Sequence, residues 1–237
     1  MKGYCFLSAV PLRAEASDRS EMVNQLLLGD TMEVIDQQEK WSRVRCDYDG
    51  YEGWVDNKQY TPFESAADLA ERLFLGTPYL WGGRSTGGID CSGLTQVCFK
   101  AMGLWLPRDA SQQVTCGHEV CLCDVQRDDL AFFCSASFPL STPPLSRGGA
   151  SSPLPTPPLS RGGASSPIST PPLSRGGAQR AEGFNPPRIT HVGICLGDGR
   201  IIHASGQVRI DALDARGILV ERTQQYSHTL LAIRRIG

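Results

Sequence analysis

Gly87-Gly88-Ile89-Asp90-Cys91-Ser92-Gly93-Leu94 carries a glycine-rich loop straight into an apolar-periodic stretch. Leu94, Val97, Cys98 and Ala101 share one face of a helix that the spacing predicts over Cys91 to Met102, closed by Gly103. A cysteine placed there lies in the first helical turn, where unpaired N–H groups and the positive end of the macrodipole favour a thiolate. Asp90, one position earlier, is a favoured N-cap residue. Further on, Ile189-Thr190-His191-Val192-Gly193-Ile194 reads as a strand with a histidine on one face, and His203 follows across Gly197-Asp198-Gly199. A thiol at a helix start with imidazoles on strands is the equipment of nucleophilic cysteine chemistry: one ring takes the thiol proton and another group orients that ring. Taken singly, Cys91 reads equally well as a buried thiol, and each histidine as a core residue.

The hairpin carries a geometric condition. Side chains alternate faces along a strand, so His191 and His203 point the same way only if paired positions sum to an even number. A three-residue Gly197-Asp198-Gly199 loop pairs Leu196 with Arg200 and Gly193 with His203. His191 is then the diagonal neighbour of His203, at roughly 7–8 Å between backbones. A two-residue Asp-Gly turn would put the rings on opposite faces, so the longer loop is expected despite the appeal of a type I′ turn.

Around this pair the period changes twice. Ala66, Ala67, Leu69, Ala70, Leu73 and Phe74 suit one face of a helix ended by Gly76 and Pro78. Leu130 to Phe133 and residues 189–196, 200–205 and 229–236 read as strands following the helices, an α+β plan. Ahead of them, residues 1–62 read as short strands with Gly/Asp turns: Met22 to Leu28, Thr31 to Ile35, Trp41 to Arg45 and Tyr51 to Val55. This pattern predicts a small antiparallel β-barrel. The remainder, 63–237, forms the second domain.

One segment breaks the pattern. Pro-Pro-Leu-Ser-Arg-Gly-Gly starts at Pro143, Pro157 and Pro171, a repeat of 14 residues. Pro, Gly, Ser and Arg cannot bury enough apolar surface to offset ordering entropy. A disordered insertion at about 137–185 is expected, in the loop between two adjacent strands, and deleting residues 140–180 is expected to leave folding intact.

The chain has 237 residues, enough for one or two domains, and its net charge of −2 offers no basic field for nucleic acid or an anionic membrane. No apolar run approaches the roughly 20 residues of a spanning helix. Nine cysteines, an odd number, fit a reducing compartment. Lys2, Tyr4 to Leu12 and Ala14-Glu15-Ala16 only faintly imitate an export signal, so a cytoplasmic location is expected. Cys116, His118, Cys121 and Cys123 cluster without the usual C-x-x-C knuckle, so no metal site and no cofactor is expected. His228 is expected at the surface.

Thr77-Pro78-Tyr79-Leu80-Trp81-Gly82-Gly83-Arg84, then Gly88-Ile89-Asp90-Cys91-Ser92-Gly93-Leu94, closely resembles the NlpC-type cysteine peptidases of bacterial cell walls. Leu106-Pro107-Arg108-Asp109-Ala110-Ser111-Gln112-Gln113, Thr190-His191-Val192-Gly193-Ile194 and Gly197 to Ala204 extend the resemblance. Apart from the insertion, it covers nearly everything from residue 66 onward. It implies a papain-like α+β peptidase domain, with Cys91 as nucleophile, His191 as base and His203 as the third, orienting member. The backbone N–H of Cys91 is a natural oxyanion donor. Ala110 departs from the family, where a small hydroxyl is expected. Ser20 to Val23, Leu28-Gly29-Asp30, Trp41 to Val44 and Gly50 to Val55 resemble a bacterial SH3 domain.

The pairing of the two domains resembles a subgroup that cuts between γ-D-glutamate and a diamino acid in murein peptides bearing a free N-terminal L-alanine. By that resemblance Asp90 receives the alanine ammonium, assisted by Glu21 and Tyr51 from the barrel. Tyr79, Trp81, Ser92, Arg84 and Asp109 line the cleft, with Arg84 suited to a glutamate carboxylate. Such an enzyme would recycle released wall peptides. The alternatives are an inactive SH3-like and peptidase-like binding module, or acyl transfer on the same scaffold.

Overall fold

The computed structural model of the chain describes residues 1–135 and 188–237. The insertion expected at 137–185 lies outside the described residues. In the first domain, alternating apolar positions and turn glycines build β1 (Lys2–Tyr4), β2 (Ala9–Arg13), β3 (Met22–Leu27), β4 (Thr31–Gln37), β5 (Trp41–Cys46), β6 (Glu52–Asp56) and β7 (Thr61–Phe63). They form one antiparallel sheet in the order β3-β2-β6-β5-β4-β1-β7. In β5, Val44 and Cys46 turn inward while Arg43 and Arg45 stay in water and pair with Glu52. The inward residues pack with Val10, Leu12, Leu26, Met32, Val55 and Tyr60 into a core of their own. Exposed ion pairs add little, so burial of this face holds the sheet.

No linker separates the second domain. Phe63 of β7 and Tyr4 of β1 are buried in the second core, beside Ala66, Leu69 and Phe74. The helix expected over 66–74 begins as α1 (Ala66–Leu69), capped by the Ser65 hydroxyl, and continues as a π-turn over Ala70–Phe74. After the short pair β8 (Arg84–Ser85) and β9 (Gly88–Ile89) come α2 (Cys91–Ala101), α3 (Ala110–Gln113) and β10 (His118–Glu119). Six strands follow: β11 (Leu130–Ser135), β12 (His191–Cys195), β13 (Arg200–Ser205), β14 (Gln207–Leu213), β15 (Gly217–Val220) and β16 (Gln225–Arg235). Each pairs antiparallel with the next, and β16 pairs with both β15 and β11, so the sheet closes into a six-stranded barrel with β10 appended to β16.

The fold is therefore α+β as expected, but its sheet is a closed barrel with two strands the sequence did not reveal. Gln207-Val208-Arg209-Ile210-Asp211 carries charged residues where a strand of a buried sheet would be apolar. The parity of the barrel positions the site. Leu130, Phe132, Val192, Ile194, Ile202 and Ala204 share a core with Leu94 and Cys98 of α2, whereas Ala131, Phe133, Cys195 and Ile201 pack with Ile218 and Ile233. His191 and His203 have the parity of this second set. The Gly197-Asp198-Gly199 loop is the one observed: Leu196 N–H donates to Arg200 O at 2.9 Å, and Gly193 stands opposite His203. Gly197 and Gly199 have φ of +86° and +75°, which a glycine adopts without strain.

Candidate active site

Asp90 sets the start of α2. Its Oδ1 accepts the N–H of Gly93 at 2.7 Å, which caps the helix and makes Cys91 its first residue. Its Oδ2 accepts the N–H of Gly82 at 2.7 Å. Arg108 grips both oxygens, Nη1 donating to Oδ1 at 3.0 Å and Nη2 to Oδ2 at 2.6 Å. Burial works to raise the Asp90 carboxyl, but Arg108 and the two N–H donors outweigh it and hold the group below its ordinary range. A carboxylate offers about four lone-pair positions, and all are engaged. The carboxylate assigned by resemblance to a substrate ammonium is already neutralised by a guanidinium of its own chain.

The Cys91 thiol is only 7% exposed and faces the N–H groups of Val192, Ser92 and Cys91 itself. Burial pushes it above its ordinary value; the N–H donors pull the other way without overcoming that loss of water. The lowering expected from the helix start is thus outweighed in the resting site.

On β12, whose Val192 N–H faces the thiol, His191 Nε2 lies 2.8 Å from His203 Nδ1, and His203 Nε2 lies 3.0 Å from Asp211 Oδ2. Arg209 Nε donates to the same Asp211 oxygen at 2.7 Å. Burial works to raise Asp211, but His203 and Arg209 prevail and keep it ionised, an acceptor only. His203 must then carry its proton on Nε2, so its Nδ1 accepts from His191 Nε2–H. His191 is left with a bare lone pair on Nδ1. Burial, followed by His203, His228 and Arg209, holds His191 well below its ordinary value. Burial also lowers His203, against the pull of Asp211. Thiol and imidazole are both neutral at rest.

Cys91 opens on a cavity of about 680 Å³. Of the residues expected there, Tyr79, Trp81, Asp90, Ser92 and Asp109 line it, and Trp81 is 86% exposed rather than part of a core. Arg84 instead borders a separate cavity of about 230 Å³ with Tyr4 and Lys100, on the far side of α2. Glu21 and Tyr51 are exposed, each just ahead of a strand of the first sheet (β3 and β6), and do not line the Cys91 cavity. The cations facing Cys91 are Arg108 and Arg188. Ala110 lines the cavity without a hydroxyl, and the next residue, Ser111, brings one there.

Sequence reasoning gave no role to Arg108, although it lies in a quoted motif, nor to Asp211, which stood in an unrecognised strand. His228 is not at the surface as expected. It is half-buried and its ring stacks on His191. Cys121, Cys123 and Asp124 bring ligand atoms within 4.8 Å of one another on an exposed turn, a group that excludes Cys116 and His118.

Comparison with known proteins agrees with this layout. Residues 76–140 match the NlpC/P60 family, and residues 12–59 match the bacterial dipeptidyl-peptidase SH3 domain. The protein carries an NlpC/P60 domain behind a bacterial SH3 domain. The NlpC/P60 match takes in Cys91 and ends at 140, ahead of His191. The chain is 53% identical over 61 residues to a gamma-D-glutamyl-L-lysine dipeptidyl-peptidase of Bacillus subtilis, covering 26% of this chain and 21% of that protein. It is 42% identical over 74 residues to the Bacillus cereus protein of the same name, covering 30% and 22% respectively. The chain thus spans about a fifth of the length of these relatives. A crystal structure of an NlpC/P60 family protein from Bacillus cereus shares the fold, with TM-score 0.50 and 21% identity over 99% of this chain and 62% of that one.

Proposed function

We propose that the protein is a cysteine endopeptidase that hydrolyses the γ-D-glutamyl–diamino acid bond of murein peptides bearing a free N-terminal L-alanine. The observation that carries this reading is the ordered chain Asp211–His203–His191, which leaves one bare imidazole nitrogen on the strand beside the Cys91 thiol. Because both groups are neutral at rest, His191 removes the thiol proton as sulfur attacks the carbonyl carbon. The Cys91 N–H receives the developing oxyanion, and the imidazolium then protonates the departing amine. Water, deprotonated by the same ring, releases the acyl group from sulfur and restores the thiol.

The names of the relatives support the bond chosen. Arg108 and Arg188, rather than Arg84, supply cations for the glutamate α-carboxylate. An alanine ammonium binds Asp90 by taking the place of one arm of Arg108, which frees that arm for the carboxylate. This exchange makes the amine a condition of binding and spares peptides still linked to sugar. Nine free cysteines support a reducing compartment, hence peptide recycling inside the cell.

The test is incubation with L-Ala-γ-D-Glu-L-Lys and L-Ala-γ-D-Glu-diaminopimelate, each with the amine free or acetylated, read by mass spectrometry. Cleavage of free-amine peptides alone, abolished by Cys91→Ala, is the expected result. Cleavage of the acetylated peptides at equal rate removes the amine condition, and cleavage undiminished in Cys91→Ala removes the thiol mechanism.

A further inference from the structure

His228 sits on β16, whose backbone pairs with β11 and β15, and no step of the reaction above employs it. Its ring lies on that of His191, with centroids 4.2 Å apart and planes inclined by 22°. Phe133 flanks both, 6.0 Å from His191 and 6.2 Å from His228. His203 meets His191 nearly at a right angle, 83°, through the Nε2 to Nδ1 bond. His191 is therefore fixed at one edge by a hydrogen bond and across one face by a second ring. An imidazole held only at one nitrogen could still swing about that bond; the stack removes this freedom.

We propose that His228 is a positioning residue: its ring is the wall against which His191 lies, aiming Nδ1 at the Cys91 sulfur and receiving the imidazolium on its π face as the proton is transferred. The inference rests on the thiol–imidazole reading above. A neutral ring is required, since a second cation stacked on His191 would oppose the proton transfer. The surroundings keep it neutral. Burial is the main cause that lowers His228, to about 4, with His203 and Arg209 adding and Asp211 opposing. On its own strand, Ser227 Oγ lies 2.9 Å from His228 Nδ1.

The experiment follows alkylation of Cys91 by iodoacetamide as a function of pH, with peptide mapping to separate Cys91 from the exposed Cys121 and Cys123. It needs no substrate, so it stands even if the proposed peptide is not cut. In His228→Leu the Cys91 rate at neutral pH is expected to fall about tenfold, with the rising limb displaced upward by about one pH unit. His228→Phe, which keeps a stacking ring, is expected to recover most of that loss, and on a cleaved peptide the Leu variant lowers kcat while leaving KM in place. If His228→Leu does not fold, His228→Gln, polar but ringless, is expected to show the same displacement. Profiles of the Leu or Gln variant that superimpose on the wild type, or a Phe variant as slow as the ringless one, overturn the proposal.

Discussion

His191 and His203 are joined nitrogen to nitrogen, Nε2 to Nδ1 at 2.8 Å, and this bond has one consistent direction only because Asp211 closes the other side of His203. Asp211→Ala removes the acceptor that keeps the His203 proton on Nε2. Either tautomer of His203 then becomes available, and the wrong one points a proton at His191 and shifts that ring's own proton to Nδ1, which takes away the lone pair the proposed base needs. We expect kcat to fall about 100-fold with KM little changed. Asp211→Asn should fall less. Arg209 Nε donates to the oxygen that faces His203, so the amide is turned with its carbonyl oxygen to that side. Steady-state kinetics of the two variants check the order; an Asn variant as slow as the Ala variant sinks it.

Gly193 faces His203 across the β12–β13 pair, and a Cβ there would lie 2.7 Å from Ile201 Cδ1 and 2.9 Å from His203 Cβ. Gly193→Ala is expected to destabilise the fold by about 1–3 kcal/mol through overpacking. It should also cost activity beyond that, since relief comes by moving His203. Gly87→Ala is the control: its nearest neighbour would be Ser85 Oγ at 3.6 Å, so a change within about 0.5 kcal/mol is expected. Urea denaturation with parallel kinetics separates the two.

The hairpin was readable from sequence because alternation is strict: once two histidines must share a face, only an odd loop length serves, and Gly-Asp-Gly supplies it. The α2 start was readable because Asp90 precedes an apolar period. The barrel closure was not. Arg209 and Asp211 look like solvent residues until His203 is seen to need the carboxylate and the carboxylate to need the guanidinium. Arg84 was misplaced for a related reason. It lies within a motif that borders the cleft, but which side of a two-residue strand faces Cys91 is decided by its packing on α2, which no local period encodes. His228 was expected at the surface because a lone histidine on a long strand carries no other signal until its stacking partner is known.

Arg108 supplies two of the donors on Asp90 and a third bond to Ser92 Oγ at 2.8 Å. Arg108→Ala leaves a buried carboxylate with two N–H partners. We expect a loss of about 2 kcal/mol, moderated because the guanidinium is itself partly exposed. Arg108→Lys keeps the charge without the two-pronged grip and should fall between the Ala variant and the wild type. Chemical denaturation measures both. A neutral Arg108→Ala would mean that Asp90 is satisfied by its backbone donors alone, and that an incoming ammonium has a free place there.

Three histidines in one buried cluster give the fold a pH dependence whose sign can be worked out. His191 and His203 are lowered by burial, and His228 is lowered from 6.5 to about 4. The unfolded chain takes up these protons near the ordinary histidine value, while the folded chain takes them up only at lower pH. Between those limits the unfolded state binds more protons, so stability falls as pH falls. Asp90 and Asp211 act elsewhere: both are held below the ordinary 3.8, so the stability they contribute is present above that value and is lost only in stronger acid. Thermal melts at pH 7.0 and 4.5 in matched buffers (values chosen to lie within the histidine window) are expected to differ by at least about 3 °C, lower in acid. His228→Phe removes one of the three groups and should shallow the slope. A melting temperature that is flat or rising on acidification would mean that these rings accept protons in the folded state, and a base already protonated at rest could not take one from Cys91.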